Sequence, residues 1–296
     1  MQIDGLTKIY NKQYRALDNL NLEVYEGEIF GFIGPNGAGK TTTIRMLLDL
    51  IRPTSGKALI FGFDTQRDAV KLHQKLGNLP GELALWGHMT GWEVIRYMGN
   101  LRGGVDLDYV KTLAERLDID LKRTVKKCSS GMKRKIGLVQ ALMNRPPLLI
   151  LDEPTNALDP LVQQTFYELL REAANEGTTV FMSSHNLVEV EHTCDRVGIL
   201  RGGKLQTVQH IANLKQVRFR WMTLHFSESV DPAEFENMPG VSDVTAFNGK
   251  IRLRLSGEVD PVIKQAAKHH VIDMTYQDPS LEEIFLEYYG EENGHE

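Results

Sequence analysis

The chain has 296 residues, 42% hydrophobic and 25% charged, with a net charge of -5: room for two domains and a substantial core, and no electrostatic case for nucleic acid or anionic lipid as the main partner. Two cysteines, Cys128 and Cys194, suit a reducing cytosol better than a disulfide scaffold. Met1-Gln2-Ile3-Asp4 opens straight into fold-like sequence and no apolar run reaches the ~18 residues of a membrane span, so neither a secretory leader nor a spanning helix is expected.

Residues 6–10 and 14–17 read as strands joined by a polar turn at Asn11-Lys12, and residues 20–25 alternate apolar and polar side chains like a half-buried strand. Residues 28–33 read as a short buried strand. It runs into Gly34-Pro35-Asn36-Gly37-Ala38-Gly39-Lys40-Thr41-Thr42, which fits G-x-x-x-x-G-K-[ST]. Gly34, Gly37 and Gly39 let the backbone curl so that successive N–H groups face inward around phosphate oxygens. Lys40 is placed to reach the β- and γ-phosphates, and the Thr41 hydroxyl to hold Mg²⁺. Residues 42–51 read as a helix with Ile44, Leu47, Leu48 and Ile51 on one face, its N-terminal dipole adding to the anion site. Strand, loop and helix together imply a bound nucleoside triphosphate. The antiparallel strands ahead of the loop offer an aromatic platform for its base, with Tyr10 the first candidate and Tyr14 the second. A plain edge-strand role for Tyr10 is the alternative.

A loop at 53–56, a strand at 57–61 and a helix at 68–76 follow, and residues 76–82 are expected to lead out of the core. Thr90-Gly91-Trp92-Glu93 has the form of a capping box, so a helix should start at Gly91. Helical patterning continues through 108–117, broken at Gly103-Gly104. Residues from about 83 to 130 therefore read as a mostly helical insertion, in which Leu85 and Trp86 are either an exposed contact site or core.

Cys128-Ser129-Ser130-Gly131-Met132 introduces a helix with Ile136, Val139, Leu142 and Met143 on one face, ended by Pro146. Its Ser-Gly start is a common N-cap and also a ready anion site. Residues 148–151 form an apolar strand ending in Asp152-Glu153-Pro154. Asp152 is placed to orient Mg²⁺ through water, and Glu153 to polarise an attacking water. Two carboxylates closing a buried strand are hard to explain structurally, because burying unpaired charge is costly. A helix to Ala174 and a strand at 178–182 lead to Ser183-Ser184-His185. That strand end shares the sheet edge where open α/β sheets bind ligands, which makes His185 a candidate sensor of γ-phosphate. Residues 197–200 and 204–208 read as a hairpin about Gly202-Gly203.

In this chain order the motifs resemble those of the ATP-binding subunit of an ABC transporter, over roughly residues 1–213. Gly34 to Thr42 matches the Walker A loop, residues 148–153 the Walker B strand, Asp159 the D-loop, His185 the switch histidine and Tyr10 the adenine-stacking aromatic. The resemblance implies a RecA-like P-loop NTPase core with an antiparallel β subdomain and a helical insertion. It also implies ATP and Mg²⁺ as cofactors, ATP hydrolysis, a second ATP-binding subunit and a membrane permease partner. Residues Ser129, Ser130, Gly131 and Met132 resemble the signature that closes over the partner subunit's nucleotide in a head-to-tail dimer. Only Ser129 and Gly131 match the usual Leu-Ser-Gly-Gly-Gln. The loop glutamine that contacts metal and water in the family is replaced by Gly81, followed by Glu82; either Glu82 or water then takes its place. With Glu153 and His185 intact, a homodimer has two competent sites, and a heterodimer with a degenerate partner stays open. The rivals are a soluble ABC ATPase acting on ribosomes or DNA, usually with two ATP modules or a long coiled-coil insertion, and a non-hydrolysing subunit.

Beyond residue 215 the pattern changes to β-α-β-β-α-β: strands at 217–226, 241–247, 250–255 and 271–276, helices at 232–238 and 261–269. Asn248-Gly249 is a type I′ hairpin signal. The order is that of a ferredoxin-like α+β domain over 216–296. A last helix at 280–289 carries Leu281, Ile284, Phe285 and Tyr288 on one face. Similar tails occur in the branch that includes drug, antibiotic and bacteriocin exporters, so the resemblance points to export. Adjacent His269 and His270 do not share a helix face, and a solvated helix end is expected there rather than a metal site.

Overall fold

The computed structural model describes residues 1–11, 13–214 and 219–279. They fall into two units, one over Met1–His210 and one from Ile211 onward. The first holds β1 (Gln2–Tyr10), β2 (Tyr14–Glu23), β3 (Ile29–Ile33), α1 (Lys40–Leu47), β4 (Ser55–Ile60), β5 (Phe63–Asp64), α2 (Ala69–His73) and β6 (Leu76–Leu79). It continues through α3 (Gly91–Asn100), α4 (Leu107–Arg116), α5 (Ser130–Leu142), β7 (Leu148–Asp152), α6 (Pro160–Asn175), β8 (Thr179–Ser184), α7 (Leu187–Thr193), β9 (Arg196–Arg201) and β10 (Lys204–His210).

A six-stranded sheet, ordered β10-β9-β3-β8-β7-β6, is parallel except for the β10 edge. Every residue of β3, β7 and β8 is buried, which is why their centres read as short apolar runs. A four-stranded antiparallel sheet, ordered β2-β1-β4-β5, packs its inner face into the same core: Leu6, Leu17, Leu20 and Ile60 meet Phe30, Phe32, Ile44 and Phe181.

Several expectations are corrected. The strands read at 14–17 and 20–25 are one, β2, which passes its register shifts through Asn19 at φ 51° while the Asn19 N–H donates to Thr7 Oγ1 at 2.9 Å. Residues 76–79, expected to leave the core, are the edge strand β6 paired in parallel with β7. Gly77 and Asn78 hid its apolar pattern, yet Leu76 and Leu79 are buried. Helix α1 stops at Leu47, where the chain turns through Asp49 at φ 53°. Helix α7 was unanticipated; Asn186 caps it, accepting from the Val188 and Glu189 N–H groups. Lys12, in the expected turn, lies outside the described residues.

In the helical insertion, Thr90 and Glu93 complete both halves of the capping box. Leu85 is half-buried. Trp86 is exposed and meets Tyr97 edge-on at 5.1 Å.

The second unit comprises α8 (Ile211–Leu214), β11 (Arg220–Phe226), α9 (Ala233–Glu236), β12 (Val241–Phe247), β13 (Lys250–Leu255), α10 (Asp260–Ala266) and β14 (Val271–Gln277). Its elements follow the β-α-β-β-α-β chain order read from the sequence, and its antiparallel sheet runs β12-β13-β11-β14. Asn248 and Gly249 both take positive φ, 48° and 74°, as a type I′ turn requires. Met222, Leu224, Phe226, Phe235, Leu253 and Val262 form its core. His269 is not simply solvated: its Nε2 lies 2.9 Å from Glu234 Oε2 and its ring meets Phe226 edge-on. The expected start of the first strand at 217 and the helix at 280–289 lie outside the described residues.

Candidate active site

The phosphate loop connects β3 to α1 at the C-terminal edge of the parallel sheet. Its last glycine, Gly39, sits at φ 111°, and a side chain there would meet the Ala16 carbonyl at 2.5 Å. A cavity of about 160 Å³ follows the loop from Asn36 to Thr42, with Tyr14, Ala16 and Glu153 completing its wall. Tyr14 is thus the aromatic that the fold brings to the loop. Tyr10 is paired opposite it across the strands and is not among the lining residues; the Lys8 ammonium lies 5.1 Å above its ring.

Lys40 is buried, and its Nζ donates to the Gly34 carbonyl at 2.6 Å and the Pro35 carbonyl at 3.3 Å. The same ammonium stands 3.5 Å from Glu153 Oε1. On the other side, the Glu153 Oε2 atom bonds the His185 Nδ1. Two expected residues from distant segments, Lys40 and His185, therefore converge on the carboxylate of a third, Glu153. Glu153 is held in a left-handed conformation, φ 50°, with its N–H donating to the Ser183 carbonyl at 3.2 Å and to Ser183 Oγ at 3.1 Å. Ser183 Oγ in turn donates to Asp152 Oδ1 at 2.5 Å. Thr41 is half-buried in the cavity wall beside Lys40.

At Gly81, a Cβ would come within 3.0 Å of Asp152 Oδ2, so this loop leaves the second carboxylate oxygen room that a side chain would crowd. Glu82 is exposed. Ser129 caps α5, accepting from the Met132 N–H at 3.2 Å, and Ser129 and Ser130 are both exposed. Gly131 packs so closely on the following loop that a Cβ would lie 2.6 Å from the Ala157 carbonyl. Asp159 caps α6, accepting from the Val162 N–H at 3.1 Å. Among the described residues no hydrogen bond joins the 129–132 segment to the phosphate loop, whereas Lys40, Asp152, Glu153 and His185 form one connected group with Ser183.

Sequence reading passed over three members of this neighbourhood. Ser183 bridges Asp152 and the Glu153 backbone. Arg134, inside α5, reaches the loops after β6 and β7. Glu189 lies buried behind the histidine turn, accepting from Ser184 Oγ at 2.5 Å, and burial pushes its carboxyl above the usual range. No local pattern marked Arg134, which stands between Lys133 and Lys135, or Glu189, whose helical neighbours Asn186, His192 and Thr193 are themselves polar. For Ser183, its position immediately before the histidine turn was the signal.

A glycine-rich loop opening a helix, beside a parallel strand that ends in two carboxylates, defines a P-loop nucleotide hydrolase. Residues 17–156 match the family described as ABC transporter, and residues 203–289 match the C-terminal domain of DrrA1-3-like ATP-binding proteins. The chain is 38% identical to the bacitracin transport ATP-binding protein BcrA of Bacillus licheniformis over 75% of its own length and 74% of that protein's. It is 30% identical to the linearmycin resistance ATP-binding protein LnrL of Bacillus subtilis over 97% of both. A solved ATP-binding subunit of an ABC transporter superposes with a TM-score of 0.67 at 28% identity, covering 73% of this chain and 91% of that one. The chain belongs to the ABC transporter family, as an ATP-binding and ATP-hydrolysing subunit.

Proposed function

We propose that two ATP-binding subunits close head to tail around two ATP and drive a separate membrane permease that exports a drug-, antibiotic- or peptide-like compound. The bacitracin and linearmycin names of relatives that align along most of the chain support the export reading. No described helix is long and apolar enough to cross a membrane, so attachment to the inner face of the cell membrane would come through the permease.

The observation that carries the hydrolytic reading is the convergence of Lys40 and His185 on Glu153. In it, loop N–H groups and Lys40 bind the β- and γ-phosphates, and Glu153 accepts a hydrogen bond from the water that attacks the γ-phosphorus. His185, held by that carboxylate, faces the γ-phosphate and stabilises its developing charge. Ser129 and Gly131, with Ser130 and Met132 beside them, serve the partner subunit's nucleotide, and Asp159 lies in the loop between the two sites. Tyr10 or Tyr14 stacks on the base. Mg²⁺ fits what the structure offers: Thr41 in the cavity wall and Asp152 supply hard oxygens, and Gly81 leaves room beside Asp152 Oδ2. Mg²⁺ commonly uses one or two protein oxygens and completes its shell with phosphate and water. When bound it would neutralise charge between the β- and γ-phosphates.

Glu153→Gln tests this reading. Turnover should fall by about 10²–10⁴-fold while ATP still binds, leaving an ATP-bound dimer visible by light scattering. Turnover at the parent rate would remove the catalytic assignment. A pull-down from gently solubilised host membranes should recover a polytopic membrane protein in near-equal amount; ribosomal or DNA-bound companions alone would end the transport reading.

A further inference from the structure

Arg134 sits in the middle of α5 with 5% of its surface exposed. Burying a guanidinium is costly unless every donor finds a partner, and no carboxylate forms an ion pair with it among the described residues. Arginine carries five N–H groups, and here main-chain carbonyls accept from all of them. Nε donates to Pro154 at 3.1 Å. Nη1 donates to Pro80 at 2.7 Å and Gly81 at 3.1 Å. Nη2 donates to Asp152 at 2.6 Å and to Glu153. The acceptors belong to two segments, the loop leaving β6 and the turn leaving β7, whose strands are paired neighbours.

The Glu153 carbonyl is the informative acceptor. A left-handed glutamate is strained and persists only where its surroundings over-determine it. Ser183 holds the N–H of that residue, and Arg134 holds its carbonyl. The two peptide planes flanking the Glu153 Cα are thereby fixed from opposite sides, which aims the carboxylate at Lys40 and His185. Gly131 lies three residues earlier on the same helical face and packs on Ala157 of the same turn region, so one face of α5 braces the whole segment.

We propose that Arg134 is a positioning residue for ATP hydrolysis, acting through the backbone of Glu153. This rests on the reading of Glu153 as the carboxylate that assists water. A lysine cannot replace it, because a single ammonium with three donors cannot span both segments.

The test uses the full chain with Arg134→Lys, Arg134→Gln and Glu153→Gln, measuring steady-state ATP turnover and the affinity of a fluorescent ATP analogue. Both Arg134 variants should lose about 10–100-fold in kcat, since small displacements at a reacting group cost that much, with KM and analogue affinity within about 3-fold of the parent. Arg134→Lys should resemble Arg134→Gln rather than the parent. Combined with Glu153→Gln, either should remove less than the product of the two separate effects. Parent-like kcat in Arg134→Lys, or an equal loss of kcat and analogue affinity, would overturn the proposal. So would the failure of both variants to fold, which would make the residue part of the scaffold. If Glu153→Gln itself keeps parent turnover, the hydrolytic reading fails; if it loses turnover while Arg134→Lys keeps the parent kcat, only the Arg134 inference fails.

Discussion

The two sheets with well-defined cores place their polar groups in opposite ways. In the six-stranded sheet, β3, β7 and β8 are buried along their whole length, so the polar groups of the site enter where strands end: Asp152 after Leu151, and Ser183 and Ser184 before His185. In the four-stranded sheet of the second unit, β11 and β13 alternate buried and partly exposed residues. Its polar side chains are spread over the face turned away from the core, where they lie on aromatic rings: Arg252 4.1 Å over Trp221 and Arg254 3.8 Å over the buried Phe219. A sheet covered on both faces concentrates chemistry at one edge, where the low dielectric magnifies each charge. A sheet whose strands alternate apolar and polar residues spreads its charges along one face, residue by residue, and collects none of them at a single edge. The first arrangement suits catalysis and the second suits stability and contact.

The largest test of that division is Phe235→Ala, which empties the centre of the second unit's core. Phe235 is fully buried and packs against Phe226 at 6.2 Å. A loss of about 3–5 kcal/mol is expected in that unit. Hydrogen exchange of β11 and β13 amides would read it, with kcat of ATP hydrolysis held within about 2-fold. A matching collapse of turnover would show that the two units are not separable in function.

Next in size is Gly131→Ala, which pits a methyl group against the Ala157 carbonyl. At 2.6 Å the contact cannot be absorbed by a flexible side chain, so α5 must back away from the turn that carries Glu153. Turnover should fall about 10–100-fold with analogue affinity near that of the parent. Unchanged turnover would mean that this edge of the site tolerates displacement, weakening the contrast between a rigid catalytic edge and an adaptable outer face.

How far this contrast was legible in the sequence follows from where each bond begins and ends. The phosphate loop was legible because it is built by its own backbone over consecutive residues, Gly34 to Thr42. Asp152 and Glu153 stood out because two carboxylates ending an apolar run have few structural reasons to be there, and His185 because its strand ends at the same sheet edge as the phosphate loop. Strand β6 was not, since Gly77 and Asn78 erase its periodicity and only pairing with β7 defines it. Arg134 was not, because its acceptors lie 54 and 20 residues away at Pro80 and Pro154, and carbonyls carry no side-chain signal. In the second unit, alternation and the Asn-Gly turn gave the order of elements, while the bond between His269 and Glu234 joins two helical segments that no local pattern connects.

Glu189 offers a smaller effect on the catalytic side. Burial raises its carboxyl above the ordinary 4.5, opposed by hydrogen bonds from Ser184 and Thr155, and Glu153 and His185 act on it from the site. The folded state then binds a proton more tightly than the unfolded chain. Its contribution to stability is fully present below pH 4.5 and is lost as pH rises through the raised value. Glu189→Gln should flatten that part of the stability–pH curve and gain roughly 1 kcal/mol at the alkaline end, because the buried charge is gone. Parallel curves for parent and variant would show that the carboxyl titrates alike in both states.

The smallest effect lies on the outer surface of the second unit. The hydrogen bond that the His269 ring donates to the Glu234 carboxylate raises the His269 pKa above 6.5, with Glu228 Oε1 adding a second carboxylate 3.6 Å from Nδ1. Stabilisation from this pairing is present below pH 6.5 and lost as pH rises through the raised value. Glu234→Gln should bring the histidine back towards 6.5, read from the pH dependence of its ring C–H resonances, and added salt should shrink the difference between parent and variant. ATP turnover should not change. A histidine that titrates identically with and without Glu234 would show the pair to be open in solution. A variant that alters turnover would instead make this surface part of the catalytic cycle, and the division between an edge that reacts and a face that only stabilises would no longer hold.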